Sequence, residues 1–330
     1  PTRDDPAAFC EIVLSHPRPI VDRLIALLGP DDAIRFCEHN NREAPLLARL
    51  IGDATVEQLV SEPKPTSERS VDAGPDEHQS ALDGPGSTLR SDHGFGEGLS
   101  VRAHEQEWIV VIDGARASDI ARWSDEGLCQ PQDATSAAVV PLLGVEPGQT
   151  VLDRCCGVGT KTQQLSEAAG ETGRVFAVDS HGARISTLRK LAKQRPSMGN
   201  VTAKRAEWSF DFPDDWPERF DHILIDAPCS NSGVLARRAN ARYAQTDEAE
   251  LRDIQSSLLD DVWPLLAEGG RVVYATCSVW PEENDQIVDA FVSRTPGVTV
   301  VDRHTWLPSF ETDDPTRYRD GGYAAVLERA

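Results

Sequence analysis

No apolar run in the sequence approaches the roughly 20 residues of a helical membrane span, which argues against a membrane-spanning helix. The opening "PTRDDPAAFCEIVLSHP" has no basic stretch followed by an apolar one, so no secretory leader is expected. It also lacks an initiator Met, as a processed or trimmed chain would. The seven cysteines, at 10, 37, 129, 155, 156, 229 and 277, include no Cys-x-x-Cys pair. Neither a zinc knuckle nor a disulfide framework is expected, and no metal; reduced thiols in a cytoplasmic protein are. Basic charge is also short. Lys and Arg total 33 against 54 acids, a net charge of −21, with lysine scarce among the cations. Phosphate binding rewards clustered cations, so this balance counts against a nucleic-acid partner. An acidic or salt-adapted proteome is the bland source of such a surface. No internal repeat is visible.

What remains is a chain of 330 residues, 39% hydrophobic, with length for two domains. From Ala7 to Val60 the pattern reads as helical, including "IVDRLIALLG", "PDDAIRFCEHN", "PLLARLIG" and "TVEQLV". Ile20, Val21, Leu24, Leu27 and Leu28 fall on one helical face. Residues 62–98 turn sharply to Ser, Pro, Gly, Asp and Glu, the composition of a flexible acidic insertion. "EWIVVID" then reads as a strand and "ARASDIARWSDEGL" as a helix. We expect a small α+β domain over 1–125, then a second domain over 126–330.

From Thr150 strands and helices alternate. "TVLD", "RVFAVD", "VTAKRA", "HILIDAP", "RVVYATC" and "YAAVLER" read as strands. The segments between read as helices, one of them "DEAELRDIQSSLLDDVWPLLAEGG", ended by Gly269-Gly270. This order predicts an α/β, Rossmann-like, doubly wound and mostly parallel sheet, with ligands at the carboxyl ends of its strands.

The informative residues lie at those ends. In "VLDRCCGVGTKT", Gly157 and Gly159 let backbone approach a ligand, and the following helix offers unpaired N–H groups. Thr160 stands before Lys161 where a P-loop needs Gly, and the third glycine of the dinucleotide fingerprint is missing. Asp179 closes the second strand, where an acid accepts from ribose hydroxyls; its plainer role is to cap the next helix. NAD and S-adenosylmethionine both remain as adenosine ligands on this ground. Cys229 and Cys277 each follow an apolar strand closely, with polar flanks that buried structural cysteines seldom need. Two thiols facing one crevice suggest nucleophilic chemistry.

"DAPCSNSG" with "YATCSVWPEEN" resembles the paired motifs of the RNA cytosine-C5 methyltransferases of the RsmB (Fmu/Sun) family. The similarity extends over most of the chain, from the N-terminal helical region through the cofactor turn to "DGGYAAVLER". Family members usually read Cys-Ala-Ala-Pro-Gly-Gly-Lys in that turn; here Cys155-Cys156-Gly157-Val158-Gly159-Thr160-Lys161 stands. Asn231-Ser232 replaces the usual Gly-Thr, and Glu207 stands where Asp is commoner.

The resemblance implies a class I methyltransferase domain. It also implies S-adenosyl-L-methionine held by residues 155–161, Asp179, Arg184, Glu207 and Asp226. Cys277 would attack carbon 6 of cytosine, Cys229 would help release the product, and Asp226 would serve N3. Lys161 would orient Asp226 or meet a phosphate. The expected substrate is small-subunit ribosomal RNA, with tRNA as an alternative and the protein a monomer. A catalytically silent RNA- or ribosome-binding relative and an NAD-dependent enzyme are the competing readings. "VLARRANARY", with Arg237, Arg238 and Arg242, is the local candidate for gripping RNA backbone, or an ordinary solvated charge run. Glu282, Glu283 and Asn284 read best as the cap of the next helix.

Overall fold

The computed structural model describes residues 1–61, 98–207, 216–244 and 247–329, with the backbone of 88–90. The acidic insertion expected at 62–98 therefore lies almost wholly outside the described residues. The chain forms two compact units, residues 1–44 with 133–313 and 318–330, and residues 45–132 with 314–317. This differs from the boundary at 125 that composition suggested, and packing gives the reason. A single turn α1 (Pro6–Ala8) leads to α2 (Arg18–Leu28) and α3 (Pro30–Asn40). Gly29, at φ +83°, turns the chain, and Pro30 suits the first helical position, where no N–H is needed. Val21, Leu24, Ile34 and Phe36 then bury against Leu235, Val279, Trp280 and Phe310, far along the chain. Leu27, expected on that face, is exposed.

The second unit holds β1 (Leu46–Leu50), α4 (Val56–Val60), β2 (Thr88–Arg90), β3 (Ser100–Ala103), β4 (Ile109–Asp113), α5 (Ala117–Asp125) and β5 (Cys129–Pro131). Its sheet runs β2-β3-β4-β1-β5, each neighbouring pair antiparallel. "LLARL" is thus a strand, not the helix its pattern suggested. A short apolar run carries no decisive period, and pairing with β4 and β5 settles it. Trp123, Val101, Val110 and Ile112 form this unit's core.

The first unit resumes with α6 (Ala134–Ala138), β6 (Thr150–Asp153), α7 (Thr160–Ala169), β7 (Arg174–Asp179), α8 (Gly182–Gln194), β8 (Val201–Arg205), β9 (Phe220–Asp226) and α9 (Glu248–Val262). It closes with β10 (Leu266–Thr276), α10 (Asp285–Arg294), β11 (Val298–Trp306) and β12 (Gly322–Arg329). The seven-stranded sheet runs β11-β12-β10-β9-β6-β7-β8. The pairs from β10 to β8 are parallel, and both pairs made by β12 are antiparallel. Successive residues of a strand face opposite sides. Val272 and Tyr274 pack with α9 and α10, while Val273 and Ala275 pack with Leu165 and Ala169 of α7. The doubly wound α/β sheet is as expected.

Two elements differ. The helix expected to run to Gly269-Gly270 ends at Val262, because Pro264 has no N–H to continue it. The strand begins before the glycines, which form an irregularity in the β9–β10 register. At Gly270 a Cβ would lie 2.3 Å from the Asp221 carbonyl oxygen, so only glycine fits. The strand β11 was not anticipated, since Asp302, Arg303 and His304 make it polar. It is an edge strand bonded to β12 alone, and an edge has only one side to bury. Among the described residues no helix is long and apolar enough to cross a membrane.

Candidate active site

Between β6 and β9 the strand order reverses, and the crevice at such a point is where open α/β sheets bind ligands. Three neighbouring strands end there on aspartate: β9 on Asp226, β6 on Asp153 and β7 on Asp179. Asp226 lies opposite Ala275 in the parallel β9–β10 pair. The two strands stay bonded past their ends, Ala227 N donating to Ala275 O at 2.8 Å and Gly233 N to Cys277 O at 2.9 Å. The loops carrying the cysteines therefore run side by side. Cys229 Sγ and Cys277 Sγ stand 3.1 Å apart, both as free thiols. The hydrogen bond to Cys277, helped by burial, pushes the Cys229 thiol well above the ordinary thiol range.

Lys161, in the first turn of α7, donates to Asp226 Oδ2 at 2.7 Å. Of its two expected roles, orienting Asp226 is the one this geometry matches. Burial works against the ammonium, but the charge and hydrogen bond of Asp226 outweigh it and hold Lys161 above its ordinary range. Asp179 is buried. Its carboxylate accepts from Gly157 N at 3.0 Å, from His181 N at 2.8 Å and from Arg184 Nη1 at 3.4 Å. It thus ties the glycine turn to the start of α8. Gly157 and Gly159 have φ of +55° and +102°, the left-handed region that favours glycine.

The other expected cofactor residues divide. Cys155 and Cys156 turn their side chains into two separate apolar clusters, where burial raises both thiols; only their backbone is left to line a ligand. Val158 and Glu207 are exposed, and Glu207 pairs with Arg205 at 2.7 Å. Thr160 opens α7, whose N-terminus has no side-chain cap.

The arginine run is largely engaged within the protein. Arg237 binds Asp320 at 2.8 Å and Asp133 at 3.6 Å, and Arg242 binds Asn41 at 2.7 Å and the Asn40 carbonyl. Arg238 lies on the surface and donates to Asn231 Oδ1 at 2.8 Å. Asn231 itself sits at φ +62° and donates to Cys229 O, while Cys277 Sγ approaches its Oδ1 at 3.4 Å.

Sequence reasoning passed over two groups. Asp153 has a signal it could have used, since it closes its strand as Asp179 and Asp226 do. The other is Glu283, read as part of a helix cap. The true N-cap of α10 is Asn284, which makes no side-chain cap bond, and Glu283 turns inward among the cysteine loops. Nothing in its local sequence distinguishes it from Glu282, which pairs with Arg23 at 3.1 Å.

Asp153 is 1% exposed; Thr162 Oγ1 donates to its Oδ2 at 2.7 Å, and its Oδ1 has no partner among the described residues. Burial raises its pKa from 3.8 to about 7, against the pull of Thr162. The folded state therefore holds a proton that the unfolded chain releases near pH 4. This contribution to stability is present below about pH 4 and is lost as pH rises to about 7. At about 1.4 kcal/mol per pKa unit the loss is at most about 4 kcal/mol. Asp153→Asn carries no such proton and keeps an acceptor for Thr162. Its stability relative to the wild type should rise between about pH 4 and pH 7 and then level off, as measured by urea unfolding; a constant difference would contradict the assignment.

A family model described as 16S rRNA methyltransferase RsmB/F matches residues 140–314, more than half of the chain. Ribosomal RNA small subunit methyltransferase B of Citrobacter koseri is 41% identical over 180 residues, covering 53% of this chain and 41% of that protein. The same-named protein of Pseudomonas putida is 34% identical over 212 residues, covering 64% and 48%. The chain thus spans less than half the length of these curated relatives. Among solved structures, NSun6 from Pyrococcus horikoshii with SFG superposes with a TM-score of 0.66 at 16% identity, covering 95% of this chain and 98% of that one. A methyltransferase homologue from the same organism gives 0.66 at 20% identity, covering 97% and 98%. At those identities the likeness speaks for the fold alone. Sheet, motifs and family match agree, and the chain belongs to the 16S rRNA methyltransferase RsmB/F family.

Proposed function

We propose that the chain is an S-adenosylmethionine-dependent RNA cytosine-C5 methyltransferase acting on small-subunit ribosomal RNA. The observation that carries this reading is the pair of free thiols 3.1 Å apart at the ends of β9 and β10, beside Asp226. The crevice suits the methyl donor. Asp153 offers an unpartnered buried oxygen suited to an ammonium, Asp179 lies where ribose hydroxyls are bound, and space is open beside Gly157.

Carbon 5 of cytosine is too poor a nucleophile to take a methyl group unaided. The Cys277 sulfur attacks carbon 6, forming an S–C6 bond while the C5=C6 electron pair moves into the ring. The proton that the Cys277 thiol gives up is taken by the Asp226 carboxylate and passed to N3, and the adjacent Lys161 ammonium keeps that carboxyl placed. S-adenosylmethionine, when bound, supplies the methyl group to the activated carbon 5. A base then takes the C5 proton, its electron pair restores C5=C6, the S–C6 bond breaks with its pair on the Cys277 sulfur, and the N3 proton returns through Asp226 to that sulfur. Cys229, held as a thiol against Cys277, assists this release. The target base must leave its stack at a cost of a few kcal/mol, least in a loop or single strand.

The test is to incubate the protein with S-adenosylmethionine and unmodified small-subunit rRNA, with tRNA transcripts in parallel, and map methylation by bisulfite sequencing. Protection of a defined rRNA cytosine is expected. Modification of tRNA alone would overturn the substrate. No 5-methylcytosine in either, with cofactor binding seen by calorimetry, would overturn the activity.

A further inference from the structure

Glu283 is a buried carboxylate, 4% exposed, and none of its contacts among the described residues is a cation. Its oxygens accept from neutral donors on both cysteine loops. Ser230 N donates to Oε1 at 2.9 Å and Ser230 Oγ to Oε2 at 2.5 Å. Ser278 Oγ donates to the same Oε2. Ser230 directly follows Cys229, and Ser278 directly follows Cys277. From α9, Gln255 Nε2 reaches Oε1 at 3.2 Å and also the carbonyl of Pro228, the residue before Cys229, at 2.9 Å. The backbone of Glu283 is pinned in turn, its carbonyl accepting from Tyr274 OH at 2.7 Å.

A carboxylate only accepts, so every donor around it must turn toward one point. Here those donors are the residues adjoining the two thiols. Ser278 Oγ also lies 2.9 Å from Ser232 Oγ and accepts from Trp280 N at 3.0 Å, closing the two loops into one bonded unit. A helix cap would need none of this. A buried anion without a cation is costly unless its hydrogen bonds are satisfied, and the arrangement is explained if it holds geometry that the reaction needs.

We propose that Glu283 is a positioning residue that sets the spacing of Cys229 and Cys277 by clamping the serine after each. It touches neither base nor methyl donor and acts through the loops. The catalytic consequence rests on the two-thiol reading above; the clamp itself does not.

Two readouts separate them. Phenylarsine oxide bridges two thiols only at close spacing and needs no RNA. The wild type should bind one equivalent, lost in Cys277→Ser. Glu283→Ala should weaken that binding about tenfold or more, since the second thiol's effective concentration falls as the loops part. In turnover, Glu283→Ala should lower kcat about 100-fold with KM for RNA and cofactor nearly unchanged, as for a group misplaced by about 1 Å. Glu283→Gln still accepts from Ser230 N and can donate to the hydroxyls, so it should recover most of both losses. Should Glu283→Ala fail to fold, Ser230→Ala and Ser278→Ala each remove one bond to the carboxylate and should weaken the arsenical in the same direction. Unchanged arsenical binding in the Ala variants, or Glu283→Gln as impaired as Glu283→Ala, would overturn the clamp. Weakened arsenical binding in a protein that methylates no cytosine would uphold the clamp and reject the activity instead.

Discussion

Cys229→Ser is expected to leave the protein covalently joined to its RNA, visible as a slowly migrating band that survives denaturation. The reason is local. On the proposed mechanism Cys277 would retain its attack on carbon 6, because its sulfur and backbone are held by bonds that do not pass through the Cys229 thiol: Cys277 O accepts from Gly233 N at 2.9 Å, and Asn231 Oδ1 lies 3.4 Å from the sulfur. What would be lost is the second sulfur, 3.1 Å away, to which the proposed mechanism gives the release step. Serine is smaller and far less acidic than the thiol it replaces, so elimination stalls and the adduct accumulates. Turnover should fall about 1,000-fold or more, and Cys277→Ser by at least as much, since removing a nucleophile that acts as part of a unit costs nearly the whole enhancement. The double variant Cys229→Ser/Cys277→Ser should form no adduct. The assignment fails if the adduct forms with Cys277→Ser but not with Cys229→Ser, or if Cys229→Ser turns over at the wild-type rate.

Asp226→Asn should cost about 100- to 10,000-fold in kcat, the range for a positioned general acid or base. The amide still offers Lys161 an oxygen, so the 2.7 Å contact can persist and the fold should hold. Missing, on the proposed mechanism, would be a group able to pass a proton to N3. Lys161→Met removes the ammonium beside that carboxyl and should act on the same step. The two effects should therefore not add, and Lys161→Met/Asp226→Asn should turn over within a few-fold of the worse single variant. Cofactor affinity, measured by calorimetry, separates this from a binding defect. A large loss of affinity with kcat unchanged would place Asp226 with the methyl donor and away from the base. Effects that multiply would show Lys161 and Asp226 serving different steps.

The arginine run shows where sequence reasoning stops. Three cations within "RRANAR" look alike in a string, and an acidic protein invites assigning them to RNA. Arg237 lies between Asp133 and Asp320, and Arg242 reaches back to the carbonyl of Asn40, partners 104 or more positions away except for Asp320 at 83. Arg238, at the surface, is tied to Asn231. Charge composition counts cations; folding decides which of them are already paired.

The sheet was legible because its information is local. Apolar runs of strand length alternate with helical faces such as Leu258 and Val262, and each period depends on residues close in the chain. The same locality made Asp179, Asp226, Cys229 and Cys277 readable, since a strand's end is visible in sequence and a parallel sheet gathers such ends on one side. "LLARL" and the polar edge strand β11 escaped, because a short or one-sided strand is defined by its neighbour and not by its own pattern. Tertiary structure alone decided that Glu283 faces the thiol loops and not the helix it precedes. It also decided that Lys161 meets Asp226 and that α2 and α3 pack beside Trp280. Each of those contacts joins residues that only the closed fold makes neighbours, and burial then fixes which partner a polar group has left to bond.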